Sequence, residues 1–248
     1  MSQKRKFLEH YFRMYEMSDF DGSKHTIKQE SDEMKRHLIL ANIPVNYYDY
    51  TIDHVMEKWS LDVANDESIE NFSLYIDNLE NACKQGTGLF FTGSHGLAKT
   101  TAAVVILIKA LEQFYTSYFI AMSDLAEFVT SGWKDYNMKL KYQYIMTHVD
   151  FLVVDDIGRN YHLQKNQSTQ FLDKLFVSRC NKKKSTILTC NHGMEANEIF
   201  SDSLLTLLKA SLIELKLIGS DIREEKSKSL IQQLKQNNFT TGKKGKNG

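Results

Sequence analysis

From Leu89 onward, short apolar runs alternate with longer amphipathic stretches. Leu89-Phe90-Phe91-Thr92 is a four-residue apolar run before a glycine-containing loop, and Thr100 to about Gln113 follows as an Ala-, Val-, Ile- and Leu-rich helix. Tyr118 to Met122 is a second strand, with a helix starting at Ser123, a residue suited to an N-cap. Phe151 to Val154 and Thr186 to Thr189 are third and fourth buried strands. Strands apolar throughout, separated by helices, predict an α/β fold with a parallel sheet covered on both faces. Upstream, a single helical stretch over about 66 to 84 leads into the turn Gly86-Thr87-Gly88.

The first 45 residues differ in character. They are charged and helix-prone, and Phe7, Tyr11 and Tyr15 lie four apart on one helical face. Such a face either packs on its own domain or docks a partner. The single proline, Pro44, biases its predecessor away from helix and sets the boundary of the main domain. The chain divides into a helical segment, 1–45, a main domain, 46–224, and a tail, 225–248, ending Thr-Thr-Gly-Lys-Lys-Gly-Lys-Asn-Gly. That tail cannot bury enough apolar surface to order itself. Its lysines either touch nucleic acid or only solvate the protein.

Composition narrows the classes. With 42% hydrophobic and 25% charged residues, the 248-residue chain can build a real core. Lys+Arg and Asp+Glu both total 31, so a globally basic nucleic-acid binder is not indicated, although a local patch is allowed. Cys83, Cys180 and Cys190 are scattered, against a zinc site or disulfide framework and in keeping with a reducing cytoplasm. There is no secretory signal and no apolar run of about 20 residues, so no membrane role is expected.

The chemistry is concentrated at strand ends. Gly93-Ser94-His95-Gly96-Leu97-Ala98-Lys99-Thr100 follows the phosphate-loop pattern GxxxxGKT except at Ala98, where glycine is usual. Backbone N–H groups of such a loop, and of the helix that continues through Thr101, cradle phosphates. Lys99 is placed to reach the β- and γ-phosphates of ATP, and Thr100 to ligate Mg2+. Alanine at 98 fits where φ is negative and is disfavoured where φ is positive. Phe151-Leu152-Val153-Val154-Asp155-Asp156 ends a strand in two carboxylates. Asp155 is expected to help hold Mg2+, and Asp156 to act as the general base toward the attacking water. Ser185 to Cys190 ends at Asn191, which can orient that water. All three motifs fall where ligands bind in parallel sheets, outside the carboxyl ends of the strands.

Together the phosphate loop, Leu152-Val153-Val154-Asp155-Asp156-Ile157-Gly158 and Ile187-Leu188-Thr189-Cys190-Asn191 resemble the AAA+ ATPases of the DnaC/DnaI helicase-loader and IstB group. Asn42-Ile43-Pro44, Ser123-Asp124-Leu125 and Gly219-Ser220-Asp221-Ile222-Arg223 are similar to further segments of that group, so the resemblance covers roughly 40 to 224. It implies a P-loop NTPase three-layer sandwich and a role in DNA replication, with a hexameric replicative helicase and single-stranded DNA as partners and ATP-dependent self-association. A transposition helper ATPase of the IstB type is the alternative, and a nucleotide-gated adaptor with little hydrolysis a third. By the same resemblance Arg223 contacts the γ-phosphate side. The group's arginine finger has no counterpart in Leu208-Lys209-Ala210-Ser211-Leu212, which implies slow turnover. Some loaders carry a zinc-bearing N-terminal domain, whose ligands are missing here. The stretch holding Trp133, Lys134, Tyr136, Lys139, Lys141, Tyr142 and Tyr144 suits base stacking with phosphate contacts, or else forms an amphipathic helix with a solvated lysine face.

Overall fold

The computed structural model of the chain describes residues 30–60, 65–131, 136–158, 165–192 and 200–219. Four helices come first: α1 (Glu30–Leu40), α2 (Ile52–Ser60), α3 (Asp66–Asp77) and α4 (Leu79–Gln85), with a short 3-10 turn over Val45–Tyr47. The α/β core follows as β1 (Gly88–Thr92), α5 (Lys99–Glu112), β2 (Ser117–Ala121), α6 (Met122–Ser131), α7 (Tyr136–His148), β3 (Phe151–Ile157), α8 (Lys165–Asn181), β4 (Ser185–Cys190), α9 (Asp202–Ser211) and β5 (Leu212–Lys216).

The five strands form one parallel sheet in the order β2-β3-β4-β1-β5. Period-two alternation splits their apolar side chains between two cores. Leu89, Phe91, Phe151, Val153 and Ile187 face a cluster built with α1 to α5. Phe90, Leu152, Val154 and Leu188 face a second cluster built with α6 to α9. Helix α5 is buried along most of its length, from Thr101 to Leu107 and again at Ala110 and Leu111. This explains its lack of a polar stripe.

Three local expectations change. The stretch 66–84 is two helices, because Asn78 has φ −116° and ends α3. Its side-chain amide donates to Leu74 O at 2.8 Å, the competition with the backbone that makes Asn a helix breaker. Helix α6 begins at Met122, so Ser123 lies inside it, its hydroxyl donating to Asp124 at 3.1 Å rather than capping. The fifth strand, β5, was not expected. It follows α9 without a break in the run of leucines, and the helical spacing of Leu204 and Leu208 masks the switch of period.

The chain before Pro44 joins the core. Leu38, Ala41 and Ile43 are buried in the first cluster. Phe119 N donates to Ala41 O at 2.8 Å and Asn42 Nδ2 to Phe119 O at 2.9 Å, which covers the free edge of β2. At the opposite end of the strands from the motifs, the fully buried Arg179 donates to Thr186, Met146 O, Val149 O and Ser185 O, tying α7, α8 and β4 together. Burial pushes its guanidinium down to about 9. The aromatic face of Phe7, Tyr11 and Tyr15, the basic tail and Arg223 lie outside the described residues. Among those that are described, no helix is long and apolar enough to cross a membrane.

Candidate nucleotide site

Strand β1 runs straight into the loop. Thr92 O accepts from Leu217 N at 2.8 Å, so the end of β5 presses on Gly93. A Cβ at Gly93 would stand 2.2 Å from Leu217 O, and φ there is +134°, so this position admits glycine only. Gly96 is also left-handed, at φ +79°. Ser94 and His95 are exposed, while Leu97 turns inward at 1% exposure.

Ala98, which precedes the first residue of α5, has φ +59° and ψ +22°. Of the two cases, the structure takes the one that disfavours alanine, a positive φ. The loop keeps the glycine-type conformation with a methyl group in it, at a strain of about 1–2 kcal/mol. Lys99 opens α5, 8% exposed, and its Nζ donates to Gly93 O at 2.7 Å and Ser94 O at 2.6 Å, spanning the loop. Thr101, in the first turn of the helix, is turned to the core and 9% exposed.

The acidic pair comes from a break in β3. Adjacent residues of a strand face opposite ways, yet the β3–β4 register shifts between Val154 and Ile157, and Asp156 has φ +58°. Alternation is lost there, and both carboxylates find partners on the same edge of β4. Asp155 Oδ1 accepts from Thr100 Oγ1 at 2.8 Å and from Thr189 Oγ1 at 2.6 Å. The Thr189 hydroxyl in turn accepts the Asp156 amide at 2.8 Å. Asn191 Nδ2 donates to Asp156 Oδ1 at 3.0 Å. Burial raises the Asp155 carboxyl above the usual carboxylate range and the neighbouring Asp156 charge adds to it, against the two hydroxyls and Lys99.

The structure therefore brings Lys99, Thr100, Asp155, Asp156 and Asn191 to the carboxyl ends of three adjacent strands, with β4 between β1 and β3. Two residues joined to this constellation were not anticipated. Thr189 shares a strand face with Asn191 by period two, a signal present in the sequence. Trp59, fully buried in α2, donates its indole N–H to Leu97 O at 3.2 Å, and nothing in the spacing announces it. The donor set is suited to a nucleotide. Loop N–H groups at a helix N-terminus match phosphate, and the hydroxyl and carboxylate oxygens of Thr100 and Asp155 match a hard divalent cation.

Of the aromatic–lysine stretch, Trp133 and Lys134 lie outside the described residues, and Tyr136, Lys139 and Lys141 fall on α7. Tyr142 is only partly exposed. Its ring packs on Phe128 at a centroid distance of 4.4 Å, against the second core. Tyr144 stacks on His148 at 4.5 Å and 17°.

The family described as IstB-like ATP binding protein matches residues 48–232. No curated protein matches the sequence. Among solved structures, the chain is similar to the DnaC helicase loader at 20% identity and a TM-score of 0.59, covering 71% of this chain and 100% of that one. A putative primosome component from Streptococcus pyogenes serotype M3 has 16% identity and a TM-score of 0.57, with 77% and 98% covered. Replication initiator DnaA bound to AMPPCP and single-stranded DNA has 19% identity and a TM-score of 0.55, with 69% and 51% covered, so the chain spans about half the length of DnaA. The family match over most of the chain and the shared sheet lead to one assignment: this is an ATP-binding member of the IstB-like family, with the P-loop AAA+ fold of the DnaC and DnaI type.

Proposed function

We propose that this protein is a slow ATPase that loads a replicative helicase. The observation that carries the ATPase reading is the joining of Thr100, Asp155 and Thr189 through one carboxylate oxygen, with Asn191 on the adjacent Asp156. Residues Gly93 to Thr101 hold the triphosphate through backbone N–H groups, and Lys99 exchanges its loop carbonyls for β- and γ-phosphate oxygens. Thr100 and Asp155 would hold Mg2+, which would supply positive charge against the phosphates. Asp156 takes the proton of the attacking water, and Asn191 keeps that carboxylate aimed. Arg223 faces the γ-phosphate side.

Turnover is slow in this reading because Lys209, exposed in the last turn of α9, is a point charge where an arginine fork would be needed. The loader role is supported by the likeness of fold to the DnaC helicase loader over that chain's full length. Residues 1–45 grip a hexameric helicase, 46–224 bind nucleotide and self-associate with ATP, and 225–248 form the basic tail. Single-stranded DNA contacts the stretch from Trp133 to Tyr144, Tyr142 excepted.

The IstB-like family match favours a second reading, a transposition helper that engages a transposase. Affinity capture with ATP and Mg2+ present separates the two. A replicative helicase in the eluate supports the loader, and a transposase the helper. Absence of ATP turnover with and without single-stranded DNA, with nucleotide still bound, would leave only a nucleotide-gated adaptor.

A further inference from the structure

A phosphate loop grips only if its peptides face the right way. In a trans peptide the C=O and the following N–H point in opposite directions. The direction of the Leu97 carbonyl therefore sets that of the Ala98 amide. The Leu97 carbonyl points into the core, where Trp59 Nε1 donates to it at 3.2 Å, so the Ala98 amide points away from the core. Trp59 is itself fixed. It is fully buried, with Phe72 edge-on at 4.8 Å and Phe91 tilted at 6.1 Å.

Ala98 gives that hydrogen bond a particular task. At φ +59° its methyl group favours a rotation of the Leu97–Ala98 peptide that would return φ to negative values. The same rotation would turn the Leu97 oxygen toward the phosphates and the Ala98 N–H away from them. It would also break the Trp59 bond and leave a buried indole donor without an acceptor.

We propose that Trp59 is a positioning residue of the phosphate loop. Its indole N–H locks the Leu97–Ala98 peptide in the phosphate-binding orientation, against the bias introduced by alanine where the loop geometry favours glycine. The lock comes from α2, so the helices before β1 set the grip on nucleotide without touching it. The inference rests on the reading that this loop holds the triphosphate.

A double-mutant cycle tests it. Wild type, Trp59→Phe, Ala98→Gly and the double variant are titrated with the non-hydrolysable analogue AMPPNP and Mg2+ by calorimetry. Phenylalanine keeps an aromatic ring against Phe72 and Phe91 and removes the donor along with part of the buried indole. Trp59→Phe should weaken binding about five- to tenfold, the worth of one hydrogen bond. Ala98→Gly should gain about threefold or more in affinity when added to Trp59→Phe, a larger gain than the same substitution gives in the wild-type background. A merely structural role for Trp59 predicts no such selective rescue. Affinity of Trp59→Phe within about twofold of wild type, or an equal gain from Ala98→Gly in both backgrounds, overturns the proposal. Lys99→Ala is the control for the site: if it binds as wild type does, the loop is not the nucleotide site and the inference falls with it. Should Trp59→Phe not fold, benzothienylalanine in place of Trp59 preserves the shape with sulfur for N–H and gives the same readouts.

Discussion

Asn191 donates to Asp156 through its side-chain amide at 3.0 Å, across a bulge that turns the Asp156 backbone to φ +58°. The carboxylate proposed as the base is thus held by the strand between it and the phosphate loop. Replacing Asn191 by Ala frees that carboxylate without touching the loop. Steady-state ATP turnover should fall about 10²-fold, while the Kd for nucleotide stays within about threefold. An equal loss in both would place Asn191 in binding instead.

Thr189→Val removes a hydroxyl that serves both acids, accepting from the Asp156 amide and donating to Asp155. Volume is kept and a buried polar partnership is lost. Thermal denaturation should report a destabilisation of about 1–3 kcal/mol. An unchanged melting temperature would mean that the bulge holds without it.

Asp155 has a pH signature. Its folded-state pKa is raised above the usual 3.8, mainly by burial. A raised carboxyl contributes stability that is fully present below the unfolded-state pKa and lost as pH rises through the folded-state value, so at neutral pH the ionised group opposes folding. Thr100 and Thr189 both donate to Oδ1, and asparagine retains that acceptor. Asp155→Asn should therefore melt higher than wild type at pH 7. The gain should shrink as pH falls toward 3.8, and Mg2+ should no longer tighten nucleotide binding. A variant that melts lower at pH 7 would contradict the assignment of burial as the dominant cause.

Ala98→Gly relieves the left-handed strain and restores the usual loop residue. Against glycine's larger entropy loss, the net gain is about 0.5–1 kcal/mol. In a chain of this size that raises the melting temperature by about 2–4 °C per kcal/mol. A lower melting temperature would show that the methyl group makes contacts worth more than its strain.

What the sequence reveals about this site follows a physical division. Strand β1, the loop and α5 are legible because an apolar run, glycines and a Lys-Thr pair are all local signals. Asp155 and Asp156 are legible as a pair at a strand end. Their shared partners at the end of β4 are not, because that requires Asp156 itself to leave the strand conformation, and the only glycine nearby, Gly158, marks the end of the strand rather than a bulge within it. The positive φ of Ala98 is hidden for a related reason: alanine reads as a helix former, and the loop overrides it. Strand β5 is hidden in the sequence where leucines continue from α9 with the period changing beneath them. Trp59 is a long-range partner of Leu97, joined by folding alone. Tyr142 carried the right composition for stacking on a base, but its ring serves the core against Phe128.

The central claim is that the loop from Gly93 to Thr100, with Lys99 crossing it, is where ATP binds. Calorimetric titration of wild type and Lys99→Ala with ATP and Mg2+ tests it most directly. Wild type should bind with a defined Kd, and Lys99→Ala should weaken binding by about 10²-fold or more while keeping its melting temperature within a few degrees. Equal affinity in the two proteins would contradict the account.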